Sequence, residues 1–576
     1  REKPENLFRV FCLGGSTMFG TPYLISGNIP GIVRRQLRHL YPEREFEVIN
    51  LAASAINSRV VRDLAGQVTA FQPDLILIYM GHNEFYGPGG VGASALEKRF
   101  SFLASLKYGL RELRIYQVLQ KLLTKKSAAG LKPGDRNLMK QVSQGNEVRL
   151  RSEEAQRVFE QFQKNLEKTV AIFQKKNIPV VVSDVVSNLS FPPFLYDRIA
   201  GKTDVETLAD RVQDLYRQHH YSEAGELLDQ YAQIAPDNAL INYWEGKTRL
   251  ALRQPGQAYR FFISARDHDL LKFRAPLKIN QIIRAVCRRR QIPFISADSL
   301  FANLSLNGIT DTTLFWEHLH PNVRGYYEIA DLFVRKVEEL HIPGTESAGA
   351  FSGTLLPFQL DSLAVCWLDI AYADLSMRNL TGKWPFSNYP VTLRAINAAE
   401  TGLRRIAKAV YTKQMSWDQG CYKSAVLFQR RKRYRQAITT YRTLIEEYPY
   451  YYYPWYLLAN VSKESGHNSA AERFYRKSIS LKGDYLHSRL ELGLLEINSA
   501  EFDRAIADLQ AALHLVTQKN IPSLRATVSY GLAAAYANKN DFQRALDYIN
   551  QSLAAAPSYL PAIELRKQIL QVQKGN

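Results

Sequence analysis

Four short loops, three of them following an apolar run and one near the end of the same domain, hold the side chains that acyl transfer requires. Leu13-Gly14-Gly15-Ser16-Thr17 ends the first run; its two glycines permit a tight turn and set a serine hydroxyl at the start of the next helix. Backbone N–H groups and the helix dipole at such a point favour developing negative charge. Taken alone, the same turn also reads as an ordinary helix cap or a phosphate-binding turn. Asn50-Leu51-Ala52-Ala53-Ser54-Ala55-Ile56-Asn57-Ser58 follows the second run with small residues whose backbone can approach a ligand. Gly81-His82-Asn83-Glu84 follows the third and supplies a side-chain amide donor, and Trp316-Glu317-His318-Leu319-His320-Pro321-Asn322 carries an acid three residues before a histidine. A hydroxyl, amide donors for an oxyanion, an imidazole and an acid are together the parts of acyl transfer.

These loops need a scaffold that brings them to one place. The runs Leu7 to Leu13, Glu47 to Leu51, Asp74 to Met80, Pro179 to Val186 and Pro293 to Ala297 are short, apolar and separated by amphipathic stretches. Those stretches predict helices over Pro30 to Leu40, Val60 to Phe71, Glu153 to Lys175 and Ala275 to Arg289. Strands alternating with helices predict an α/β fold with a parallel sheet. In such a sheet, ligands gather beyond the carboxyl ends of the strands, where these loops lie.

The rest of the chain is written differently. Ala437, Ala471 and Ala505 follow one another at 34-residue spacing, with Ala545 after them, each in a related local context. Small residues (Ala425, Ala459, Gly493, Ala533) precede each alanine by twelve positions, and Tyr441 and Tyr475 follow two of them by four. A 34-residue period of paired helices resembles tetratricopeptide repeats, spanning residues 418–560. The signature recurs at Ala224 and Ala258, which predicts a two-repeat insertion over residues 205–272. Stacked repeats form an extended surface suited to a protein or peptide partner. Tyr448, Tyr450 to Tyr453, Trp455 and Tyr456 crowd one inter-repeat turn, either filling the repeat core or gripping a partner.

The four loops resemble the SGNH/GDSL hydrolase superfamily, and in particular bacterial members that carry tetratricopeptide repeats. The likeness covers residues 7–92, 155–200 and 272–335. It implies a flavodoxin-like three-layer sandwich and a serine esterase. Ser16 would be the nucleophile, His320 the general base, and Glu317 the acid that orients the imidazole. The N–H groups of Ser16 and Ala55 and the amide of Asn83 would form the oxyanion hole, with Gly81 beside the substrate and His82 and His318 flanking the site, either packing there or contacting substrate. Gly15 stands where relatives often have Asp, Ala55 where glycine is common, and Glu317 where Asp is usual. The substrate class implied is an acyl ester of a carbohydrate or lipid, hydrolysed or transferred by the same residues, with no cofactor. The rival reading is a binding scaffold whose α/β domain no longer turns over, motivated by Glu317 and by the long insertions.

Residues 7–340 thus read as the hydrolase-like domain, interrupted at 93–152 and 205–272, with a linker at 341–357, bridging helices at 358–417 and the repeat array at 418–576. The linker includes a Gly/Ser/Thr-rich stretch from Pro343 to Thr354. The chain has 576 residues, and 74 Lys+Arg against 55 Asp+Glu give a net charge of +19, much of it concentrated in residues 97–151. Within that segment Leu103, Leu106, Leu110 and Leu113 predict an amphipathic basic helix, either packed on its own domain or laid on an anionic membrane surface. No zinc-finger, recognition-helix or RNP-type pattern accompanies the charge, which argues against nucleic acid. Cys12, Cys287, Cys366 and Cys421 lack zinc or disulfide-framework spacing, and no histidine/carboxylate cluster has metal spacing. No apolar run approaches the length of a membrane span. The chain starts at Arg1, and with the family resemblance this leads to the expectation of an extracytoplasmic, membrane-associated protein with a leader or anchor upstream.

Overall fold

The computed structural model describes residues 3–91, 145–199, 205–341, 355–386 and 401–575. The basic amphipathic segment around 103–124 and the stretch 343–354 lie outside the described residues. The chain divides into two units: Arg1–Leu363 with Asp369–Ala399, and Ala364–Leu368 with Glu400–Asn576.

In the first unit the five apolar runs form strands β1 (Leu7–Gly14), β2 (Glu45–Asn50), β3 (Leu75–Tyr79), β4 (Val180–Ser183) and β5 (Phe294–Ile295). They pair in parallel in the order β2-β1-β3-β4-β5, with Val10 opposite both Val48 and Leu75. β1 and β3 are buried along nearly their whole length. Both faces of the sheet are therefore covered, which is why these runs are continuously apolar rather than alternating. The covering helices include α1 (Ser16–Phe19), α2 (Ile29–Leu40), α3 (Ser58–Val68) and α4 (Glu153–Gln174). The α/β class expected from the sequence is the one observed. β2 and β3 flank β1 on opposite sides, so the chain order reverses there and leaves a crevice beyond its carboxyl end. Ser16 sits at that point.

Between β4 and β5 the chain runs through α5 (Val205–Arg217), α6 (Tyr221–Ile234), α7 (Ala239–Ala251) and α8 (Pro255–His268), each packed on the next. Ala224 and Ala258 are fully buried in their contacts. Gly246 lies against the Phe262 ring, where an added Cβ would come within 3.0 Å of it. Then follow α9 (Leu277–Arg290), α10 (Ala297–Leu304), α11 (Val323–Glu339) and α12 (Trp367–Thr381). α11 packs on α2, while α4 packs on both α3 and α9. Residues 369–386, read from the sequence as part of a bridge, belong to the first unit, where buried Asp369 accepts hydrogen bonds from Ser26 N (2.7 Å) and Oγ (2.6 Å).

The second unit is helical. After α13 (Thr401–Tyr411), α14 (Trp417–Arg430) pairs with α15 (Tyr434–Glu447), and α16 (Tyr452–Glu464) with α17 (Asn468–Leu481). In turn α18 (Leu486–Asn498) pairs with α19 (Phe502–Lys519), and α20 (Pro522–Asn538) with α21 (Phe542–Ala555), before α22 (Leu560–Gly575) ends the array. Ala437, Ala471, Ala505 and Ala545 are fully buried, as are Tyr441 and Tyr475, because small residues let paired helices approach and the tyrosines fill the space beside them. The aromatic run divides. Tyr452, Tyr453 and Tyr456 are half-buried in a ring cluster with Tyr485, whereas Tyr448, Tyr450 and Tyr451 are exposed.

Candidate active site

The site is assembled from loops at the carboxyl ends of β1, β2 and β3 and from the loop preceding α11. β1 ends at Gly14, whose missing side chain lets Tyr79 O and Met18 pack directly against it; a Cβ there would lie 2.1 Å from that carbonyl. Ser16 is the first residue of α1, so its N–H has no acceptor within the helix.

The histidine loop is closed by an antiparallel bridge between Phe315 and Pro321 and by a bond from Trp316 N to His320 O (2.9 Å). Within the turn, the Glu317 carboxylate folds back on its own chain: Oε1 accepts from His320 N at 2.8 Å, and Oε2 faces Leu319 N at 3.4 Å. Asn322 then caps α11 through Gly325 N, fixing the loop's exit. Trp316 Nε1 donates to Tyr23 OH (2.9 Å) and Tyr326 OH to Thr21 O (2.5 Å), tying the loop and its helix to the segment just after Ser16.

Two hydrogen bonds link the three residues in a line. Ser16 Oγ lies 2.9 Å from His320 Nε2, and His320 Nδ1 lies 2.5 Å from Glu317 Oε1. With Nδ1–H donating to the carboxylate, Nε2 is the acceptor for the serine proton. All three side chains are buried. Burial pushes His320 below the ordinary histidine value and keeps it neutral, the form that can take a proton. The adjacent carboxylate acts in the opposite sense and stabilises the ring once it is charged.

On the other side of Ser16, Asn83 Nδ2 donates to Ile56 O (2.9 Å) and lies against Gly15. Ala55 is exposed and left-handed at φ 63°, a conformation that glycine adopts without strain. Glu84 is buried and accepts from Ser58 N (2.9 Å) and Oγ (2.6 Å), fixing the start of α3 and so the loop that carries Ala55 and Ile56. Burial raises its carboxyl to about 7.

Gly81, His82 and His318, expected to flank the site, are packed into its surroundings. Gly81, at φ 152°, packs against the core, where a Cβ would meet Ile279 at 2.7 Å. His82 is buried and accepts from Ala275 N through Nδ1 (3.2 Å); burial, with His320 and Arg266 nearby, lowers it to about 3. His318 faces the carboxylate of Glu317, with Nδ1 bonded to Oε2, inside a cage of Phe191, Phe194, Phe273 and Phe386. The turn places both histidines on one carboxylate, so His318 has no free route to the serine side.

Sequence reasoning missed the residues behind this loop. Asn188 N donates to His318 O (2.9 Å) and its amide to Glu317 O (3.2 Å), while buried Arg274 holds Asn188 O (3.0 Å) and Phe191 O (2.7 Å). Asn188 follows the fourth apolar run, so its place beyond a strand end was a usable signal. Among the described residues no group of three or more His, Cys, Asp or Glu side chains could hold a metal ion, and no helix is long and apolar enough to cross a membrane.

No curated protein matches the chain in sequence. Its solved structural neighbours include YrrB, described as a tetratricopeptide repeat protein with an unusual peptide-binding site: 18% identity, 34% of this chain and 98% of that one, TM-score 0.26. A thermophilic repeat protein from Thermus thermophilus shares 20% identity over 29% of this chain and 86% of its own, TM-score 0.23. A GDSL-like lipase from Bacteroides thetaiotaomicron shares 11% identity over 58% of this chain and 88% of its own, TM-score 0.25. The tetratricopeptide repeat family models match residues 452–485 and 490–559. The paired helices of the second unit therefore include tetratricopeptide repeats.

Proposed function

We propose that the α/β unit is a serine esterase of the SGNH/GDSL type and that the helical repeats bind a protein or peptide partner. The observation that carries this reading is the unbroken hydrogen-bonded line from Ser16 through His320 to Glu317.

Ser16 Oγ attacks the acyl carbonyl carbon while its proton passes to His320 Nε2. The carbonyl oxygen becomes an oxyanion, held by the N–H groups of Ser16 and Ala55 and by Asn83, whose amide turns from Ile56 O toward it. Collapse expels the alcohol, which takes the proton from Nε2 and leaves Ser16 acylated. Water or a second hydroxyl, deprotonated by His320, then releases the acyl group. Glu317 keeps Nδ1 protonated throughout and balances the charge on the ring. By family resemblance the ester is borne by a carbohydrate or lipid and the protein works outside the cytoplasm, at a membrane.

Labelling with a fluorophosphonate probe tests this reading. We expect modification at Ser16 in the wild type and its loss in Ser16→Ala and His320→Ala, with parallel loss of p-nitrophenyl acetate hydrolysis. A folded wild type that neither labels nor hydrolyses the ester would instead favour a binding module built on the repeats.

A further inference from the structure

Glu317 has two carboxylate oxygens and two imidazole neighbours. Oε1 faces His320 Nδ1, while Oε2 is bonded to His318 Nδ1. His318 is 2% exposed and surrounded by the rings of Phe191, Phe194, Phe273 and Phe386, with centroids 5.0 to 6.2 Å away. Its other nitrogen, Nε2, has no hydrogen-bond partner among the described residues.

Phenylalanine would suit such a cage better than imidazole. A buried polar nitrogen without a partner costs free energy that a phenyl ring avoids, so packing does not explain the histidine. What it contributes is the Nδ1–H. A glutamate side chain has one more rotatable bond than aspartate, so its carboxylate needs more fixing to keep one oxygen aimed at His320. We propose that His318 is a positioning residue for the reaction: by donating to Oε2 it locks the Glu317 carboxylate so that Oε1 stays on His320 Nδ1. This rests on the esterase reading for its rate consequence, but the positioning itself is a property of the ligand-free protein.

The surroundings suit the role. Burial, with His320, Arg274 and His82 adding to it, holds His318 far below the ordinary histidine value. A neutral donor fixes the carboxylate without neutralising it, so the full negative charge stays available to the imidazolium at position 320. Asn188 reinforces the arrangement from behind through the backbone of Glu317 and His318.

The test compares His318→Phe, which fills the cage but removes the donor, with His318→Asn, whose amide places a donor near the Nδ1 position. For p-nitrophenyl acetate, His318→Phe is expected to lower kcat about 10- to 100-fold with KM within about twofold, as loss of an outer-sphere partner does elsewhere. His318→Asn is expected to recover most of that loss. A readout independent of turnover is the downfield proton resonance of His320 Nδ1–H, identified by its absence in His320→Ala. It should shift upfield in His318→Phe and return toward wild type in His318→Asn. Wild-type kcat together with an unmoved resonance in His318→Phe would overturn the proposal. A protein without esterase activity whose resonance still responds would retain the positioning role while the esterase reading failed.

Discussion

Asn83 Nδ2 occupies the space where a side chain on Gly15 would begin: a Cβ at Gly15 would lie 2.7 Å from it. The residue before Ser16 is thus a glycine because the amide from the third loop is packed onto it. Gly15→Ala should push Asn83 off its bond to Ile56 and lower kcat for an acyl ester about 10²-fold, the usual cost of a lost oxyanion donor, with a small effect on KM. Steady-state kinetics check this, and an unchanged kcat would detach Asn83 from the oxyanion.

Glu317→Gln keeps the volume of the side chain but removes the charge that holds Nδ1–H. The expected loss in kcat is about 10⁴-fold, since the amide allows the wrong imidazole tautomer. Stopped-flow or endpoint rates of fluorophosphonate labelling at Ser16 give the same answer without a substrate. Retained labelling would mean that another group orients His320.

The pH–rate profile follows from the burial of His320. Its folded value lies below the ordinary one, and in the proposed mechanism the neutral ring is the active form. Activity should therefore hold as pH falls past about 6.5 and decline only as it drops through the lowered value. An acid limb at or above the ordinary histidine range would show that the Glu317 charge outweighs burial.

Glu84 makes a prediction about stability. Its folded value, about 7, is above that of an exposed carboxyl, so the folded state holds the proton more tightly than the unfolded chain. Its contribution is most favourable at acid pH and diminishes as pH rises through 7. Glu84→Gln keeps an acceptor for Ser58 N and places a donor toward Ser58 Oγ without the charge. Thermal melts between pH 5 and 8 should show a flatter profile for the variant, with a higher Tm than wild type at the alkaline end. Parallel profiles would assign the slope to other groups.

In the repeats, Gly493 faces Leu509, and a Cβ there would come 2.6 Å from Cγ. Gly493→Val should overpack the α18/α19 contact and cost about 1–3 kcal/mol. Circular dichroism melts would detect it as an earlier helical transition, and an unchanged melt would show that the pair can separate without penalty.

The sheet and the repeats were legible because each follows a period: apolar runs between amphipathic helices for one, alanines at a fixed interval for the other. The loops bearing Ser16 and Asn83 were visible for a related reason, since a parallel sheet directs attention to the ends of its strands, and the His320 loop was visible through its acid three residues before a histidine. Arg274 and Phe386 were not. Each reaches the histidine loop through tertiary packing between distant segments, and no local pattern records such contacts. The orientation of His318 was hidden too, because it depends on how the turn between Phe315 and Pro321 folds Glu317 back on itself.

The helical excursion between β4 and β5 has a feature with wider reach. Leu270 N bonds to Leu195 O at 2.9 Å, and the carboxylate of Asp269 accepts from Phe194 N, Leu195 N and Leu271 N. This seam ties the two ends of the excursion together, and α8 adds a second attachment by packing Ala258 and Phe262 on Leu189 and Ile309 of the α/β unit. Because the ends are already held together, a change in length of the outer helices α5 and α6 adds little closure cost to the sheet. The branch is free at its outer pair and fixed at its inner one, so only the outer pair is open to lengthening while the sheet keeps its order.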